Sequence, residues 1–143
     1  RILRQPRNPE WLKQEILKMR EKIHESHPNR STLFDLKHDS GGMIDIEFIV
    51  QYLVLEYSMK YPELTDNFGN IALLKMSEKL GLIPEEAGEK VSAIYRNFRK
   101  RQHEIRMQGA DQAKVELDEV IDQVDEVKKL WNQVLLNATN ETD

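Results

Sequence analysis

An all-α bundle of about five helices is the fold this sequence predicts, on three observations. Apolar residues recur every three or four positions through most of the 143-residue chain. The six glycines and five prolines fall where those periodic runs should begin or end. One run, Met43 to Tyr61, is apolar nearly all round, as expected for a central helix enclosed by others.

The elements follow in order. Asn8-Pro9 predicts the first helix, with Asn8 as N-cap and Pro9 in the first turn. Leu12, Ile16, Met19 and Ile23 then form one apolar stripe as far as Ser26, and His27-Pro28-Asn29 ends it. A loop runs to Gly42, with a brief alternation over Leu33–Lys37 that suits extended chain. The central helix, 43–61, stops at Pro62. Asp66 and Asn67 offer caps for a short helix carrying Ile71, Leu74 and Leu80, with Gly81 at its C′ position. Pro84-Glu85-Glu86 opens a long helix with Val91, Ile94, Tyr95, Phe98 and Ile105 on one face, closed by Gly109. The last helix is expected from Gln112 to Leu136, with Leu117, Val120, Ile121, Val124, Val127, Trp131 and Val134 facing inward. Residues 137–143 read as a flexible polar tail.

Length and composition bound the function. At 16.8 kDa the chain is one helical domain, 1–143. It is 39% hydrophobic and 32% charged with mean hydropathy −0.65, and no stretch reaches the length of a membrane span. With no cysteine, disulfides, thiolate metal sites and cysteine nucleophiles are excluded, and the expected setting is cytoplasmic. The chain starts at Arg1 with no signal-peptide pattern, which suggests an excised domain or processed product. The net charge of −4 divides into blocks of +4 (1–37), −6 (38–94), +4 (95–110) and −6 (111–143). Alternating blocks suit helices lying against neighbours of opposite sign, and fit neither a nucleic-acid-binding nor a membrane-binding chain.

The densest polar grouping runs from Asp35 to Phe48. In one reading, Gly41-Gly42 lets helix-start amides approach a phosphate with Lys37 as counter-charge, although Asp39, Asp45 and Glu47 would repel the anion. In another, Asp45 and Glu47 are the Asp-x-Glu pair of a nucleotidyltransferase metal site. That pair works on a strand; on a helix its members are about 200° apart and cannot share one ion. Helical projection puts Asp45, Tyr52 and Glu56 on one line and Glu47, Gln51 and Ser58 on another. These polar residues either cap their own helix start and pair with Arg or Lys from neighbours, or they meet a ligand.

Other groupings carry less. His24 and His27 share a helical face near a helix end but lack a third ligand, so no metal is expected from them. Arg96, Arg99, Lys100, Arg101 and Arg106 form a basic run without an exposed aromatic platform, which reads as a solvated face or a protein docking strip. No serine triad, Walker loop or dinucleotide fingerprint is present.

The run Phe34-Asp-Leu-Lys-His-Asp-Ser-Gly-Gly-Met-Ile-Asp-Ile-Glu-Phe-Ile-Val-Gln-Tyr-Leu-Val-Leu55 closely resembles a motif of the bacterial bifunctional glutamine synthetase adenylyltransferase/adenylyl-removing enzymes. Asp45-Ile-Glu47-Phe48 and Gln51-Tyr-Leu-Val-Leu55 resemble the adenylylating, C-terminal half. Met19-Arg20-Glu21-Lys22, Asp66-Asn67, Gly81-Leu82 and Val127-x-x-x-Trp131 are supporting matches, while 111–126 departs from any motif. The resemblance implies a helical domain that follows a nucleotidyltransferase domain. That domain's Gly-Ser…Asp-x-Asp signature binds ATP and Mg²⁺ and is absent here, so no catalytic residue and no bound cofactor are expected in this chain. The implied parent reaction transfers AMP from ATP to a tyrosine of glutamine synthetase. Lys37, Gly41, Gly42, Asp45, Glu47 and Gln51 are expected at the seam with the upstream domain, near nucleotide phosphates, and Arg96, Arg99, Lys100 and Arg101 at a docking surface. The alternative is a binding module that senses a PII regulator or glutamine and takes no direct part in chemistry.

Overall fold

The computed structural model of the chain describes residues 9–66 and 69–136. Five helices carry the fold: α1 (Pro9–Ser26), α2 (Met43–Tyr57), α3 (Asn70–Lys79), α4 (Ala87–Met107) and α5 (Leu117–Trp131). A 3₁₀ turn spans Pro62–Thr65, and α5 continues as a π-helical segment, Asn132–Leu136. Two short strands, β1 (Phe34–Asp35) and β2 (Lys114–Val115), pair antiparallel, with Phe34 opposite Val115 and Asp35 opposite Lys114. Expectations for the Asn8 and Asn67 caps and for the tail lie outside the described residues.

The all-α bundle and its central helix are as predicted. Helix α2 packs against α1, α3, α4 and α5, and Met43, Ile46, Phe48, Ile49, Val50 and Leu53 are buried around it. No described helix is long and apolar enough to cross a membrane.

Boundaries differ from the expectations in four places. Helix α2 ends at Tyr57, not 61: residues 58–60 form a turn closed by Tyr61 N–H on the Tyr57 carbonyl at 2.8 Å, and Tyr61 leaves helical geometry (φ −126°, ψ 83°) ahead of Pro62. Helix α3 begins at Asn70 with Gly69 as its N-cap, and Asp66 instead ends the 3₁₀ turn. Its C-terminus is the expected one: Gly81 sits at φ +80°, donating to the Glu78 carbonyl, while Leu82 N–H donates to Ser77. Helix α4 begins at Ala87, since Pro84–Ala87 closes a turn and Glu86 takes a left-handed φ of +74°. Helix α5 begins at Leu117, not 112, because Lys114 and Val115 are drawn into pairing with β1.

Two faces also differ. On α5 the buried stripe is Val120, Val124, Val127, Trp131 and Val134, whereas Leu117 and Ile121 lie on its flank, 39% and 37% exposed. On α1, Leu12 and Ile16 are buried but Met19 is 38% exposed. The buried meridian of α1 is rotated by about 45° toward Lys13 and Arg20. Those two charged residues therefore face the interior, and hydropathy alone assigns them to solvent.

The α3–α4 contact depends on a small residue. A Cβ at Gly88 would lie 2.5 Å from the Leu74 carbonyl oxygen, so only glycine lets the two helices approach this closely. Ser92, one turn on and fully buried, donates to the Ile71 carbonyl at 3.2 Å.

Candidate functional site

The loop between β1 and α2 uses its own acidic residues. The Asp35 carboxylate accepts the Lys37 and His38 amides at 2.9 and 3.0 Å and meets His38 Nδ1 at 3.2 Å. Burial pushes the Asp35 carboxyl up, but these amide and imidazole bonds outweigh it and hold the group below its ordinary value. Asp39 accepts the Asp35 amide and the Asn29 side chain. The amides of Gly42, Met43 and Ile44 donate to the carbonyls of Asp39, Leu36 and Lys37, and Gly41 donates to the Asp45 carboxylate at 2.8 Å. At this helix start the amides of Gly41, Gly42, Met43 and Ile44 are thus engaged within the loop.

The glycine pair is there for packing. Gly41 has φ +88°, and a Cβ on it would lie 2.6 Å from Val124 Cγ1 of α5. A Cβ on Gly42 would lie 2.6 Å from the Leu36 carbonyl oxygen. Both glycines are buried.

Asp45, 1% exposed, is gripped by Arg20 of α1, with Nε 3.0 Å from Oδ1 and Nη2 2.6 Å from Oδ2. The guanidinium also lies 4.0 Å from the centre of the Trp131 ring on α5. One residue therefore ties three helices together, and the Asp45 carboxylate, one half of the Asp-x-Glu pair, is taken up by an arginine.

Glu47 turns the other way. Its Oε2 accepts the Tyr95 hydroxyl of α4 at 2.7 Å, and that hydroxyl also receives the Asn70 amide of α3 at 3.2 Å. Burial, the hydrogen bond to Glu47 and the Glu47 charge together push the Tyr95 hydroxyl up to about 12. The Arg99 guanidinium lies 5.6 Å from the Tyr95 ring centre. Asp45 and Glu47 thus serve different neighbours, as the 200° separation requires. Among the described residues no three His, Asp or Glu side chains converge as a metal site.

Around Arg99, an open groove of ≈560 Å³ is lined by Ile71, Arg96, Arg99, Lys100, Gln102 and His103. Past Gln102, a second cavity of ≈220 Å³ collects Lys37, Arg106 and Lys114 beside Asp35, His38 and Asp111. Stacked on His38 is His27, with ring centres 4.1 Å apart. Lys37, Arg96, Arg99, Lys100, Arg106 and Lys114 form no ion pair with a described residue, whereas Arg101 pairs with Glu119 at 3.0 Å. Unpaired positive charge therefore runs along α4 from the Glu47–Tyr95 pair to Lys37.

The six residues expected at a seam are divided by the fold. Gly41, Gly42 and Asp45 are interior, Lys37 and Glu47 are half-buried at the two ends of the cationic face, and Gln51 is exposed on α2. Arg96, Arg99 and Lys100 lie together on that face, apart from the paired Arg101. Sequence reasoning missed Arg20, Tyr95 and Asn70 as partners of this region. A signal existed for Arg20, since it falls between Ile16 and Ile23 on the face that α1 buries.

The sequence model of the family described as GlnD PII-uridylyltransferase matches residues 17–132. Bifunctional glutamine synthetase adenylyltransferase/adenylyl-removing enzymes are similar at the sequence level. The protein of Nitrosomonas eutropha is 55% identical over 112 residues, 78% of this chain and 12% of the relative. That of Burkholderia mallei is 47% identical over 133 residues, 93% of this chain and 14% of the relative. That of Bordetella bronchiseptica is 44% identical over 138 residues, 96% of this chain and 15% of the relative. The chain thus spans roughly an eighth to a seventh of the length of these relatives.

Proposed function

We propose, for a chain that belongs to the GlnD PII-uridylyltransferase family, that it is the helical domain of an enzyme that adenylylates glutamine synthetase in the cytoplasm. In this reading the chain is the C-terminal scaffold of the adenylylating half. A neighbouring nucleotidyltransferase domain holds ATP and Mg²⁺ on its own carboxylates and transfers AMP to a tyrosine of glutamine synthetase. Such a transfer depends on positioning and on charge stabilisation around the phosphates.

One observation carries the reading: the unpaired cationic face of α4, bounded by Glu47 at one end and Lys37 at the other. A face of this kind favours a partner bearing negative charge. Tyr95 fixes the Glu47 carboxylate beside it, supplying one acceptor of defined position. We place the domain seam on Lys37, Glu47 and Gln51. Gly41, Gly42 and Asp45 act beneath it as support. This chain's residues position and dock, and none of them carries a chemical step.

The test uses labelled ATP. The 143-residue chain alone transfers no label to glutamine synthetase, and robust labelling by it would sink the proposal. In the longer enzyme, Arg96→Glu with Lys100→Glu lowers adenylylation while the helical content of the domain is kept. The same exposed cations support a second reading, docking of an acidic surface of a PII regulator. Titration with PII protein separates the two, since in that reading complex formation is lost in the charge-reversed variant but adenylylation without PII is not.

A further inference from the structure

Three charged side chains among the described residues are buried, Asp35, Asp45 and Lys13, and of these the two aspartates have an ion pair. Lys13 of α1 is only 3% exposed. It forms no hydrogen bond or ion pair with a described residue, and its ammonium lies 5.7 Å from the centre of the Tyr52 ring. At a residue this buried the ammonium keeps access to a cleft, and a single cation–π contact satisfies it only in part.

Lys13 also lines the most voluminous of the clefts described here, ≈690 Å³, between α1, the end of α2, the α3–α4 loop and the π-helical segment. That volume falls within the roughly 300–1,000 Å³ of small-molecule sites. The opposite wall is apolar, from Leu82, Ile83 and Val134, with Tyr57 alongside. The apolar wall favours an amphipathic acid over inorganic phosphate.

We infer that this cleft binds a small carboxylic acid, with its carboxylate on the Lys13 ammonium and its apolar body against Leu82, Ile83 and Val134. The site is separate from the α4 face and does not depend on the function proposed for it.

The experiment titrates the 143-residue chain with 4-phenylbutyrate, its neutral counterpart 4-phenylbutanol, and inorganic phosphate, followed by amide NMR and calorimetry. The expected result is saturable binding of the acid, with shifts centred on Lys13, Tyr57, Leu82 and Val134. The alcohol binds about tenfold or more weakly, as loss of a charge-assisted contact predicts. Lys13→Met brings the acid down to the level of the alcohol. Should that variant not fold, Leu82→Trp, which narrows the cleft and leaves Lys13 in place, weakens the acid by a similar factor. Absence of saturable binding, equal binding of acid and alcohol, tighter binding of phosphate, or shifts confined to other residues each overturns the inference.

Discussion

Arg20 grips Asp45 through two hydrogen bonds of 3.0 and 2.6 Å while its guanidinium lies on the ring of Trp131. Neither partner is near the other in sequence, and each comes from a different helix. The pair explains how an aspartate that is 1% exposed is tolerated at the start of the central helix. Its charge is matched on both oxygens, and Oδ2 takes the Gly41 amide as well.

Breaking that pair from one side leaves a buried charge without compensation. Arg20→Met should cost about 3–5 kcal/mol of stability, measured by urea unfolding. Arg20→Met combined with Asp45→Leu should recover much of the loss, because no unpaired charge then remains. A double variant as unstable as the two losses summed would count against the pair as the cause.

Gly88→Ala should destabilise the fold by about 1–3 kcal/mol, since the new methyl group must be accommodated 2.5 Å from the Leu74 carbonyl oxygen. Gly69→Ala is the control, because nothing lies within 4 Å of a Cβ there. Calorimetric melting of the two variants checks the difference; equal melting temperatures would contradict it.

Tyr95→Phe removes the hydroxyl that holds Glu47, and should cost about 1.5–3 kcal/mol for a bond to a charged acceptor. The wild-type hydroxyl is pushed up to about 12 from 10.0. The folded state therefore keeps its proton where the unfolded chain loses it. That contribution is complete below pH 10 and disappears as the pH rises toward 12. Unfolding measured across this window should show wild-type stability falling toward that of Tyr95→Phe.

Glu78 of α3 caps the start of α4, accepting the amides of Glu86 at 2.8 Å and Glu89 at 3.0 Å. The Glu86 amide is the chief cause that lowers the Glu78 carboxyl below its ordinary 4.5. A lowered carboxyl stabilises the fold above its unfolded value, and this contribution fades as the pH falls below 4.5. Melting curves of wild type and Glu78→Ala should differ at neutral pH and converge in acid. Curves that stay parallel would show that the carboxylate charge plays no part in the cap.

The helices themselves were legible, since periodic apolar residues and the glycines and prolines at their ends depend on local geometry. Gly81 at the end of α3 needed nothing beyond the requirement for a left-handed residue there. The strands were less so: two residues each, they exist because Phe34 and Val115 meet across 81 positions of chain. The site was legible in its residue types and misleading in its grouping. Asp45 and Glu47 are two apart in sequence, yet one reaches α1 and the other α4.

By itself the sequence determined the fold class, the central position of α2 and a family motif over 34–55, because each rests on short-range pattern. Tertiary structure alone decided which charged groups are inside. Lys13 and Arg20 carry long polar side chains that hydropathy sends to solvent, and their burial depends on what α2 and α5 place opposite them. It also decided that the basic run of α4 splits, with Arg101 neutralised by Glu119 while Arg96, Arg99 and Lys100 form no ion pair with a described residue. Pairing of charges is settled by distance in three dimensions, and that distance is not written in the spacing of residues along the chain.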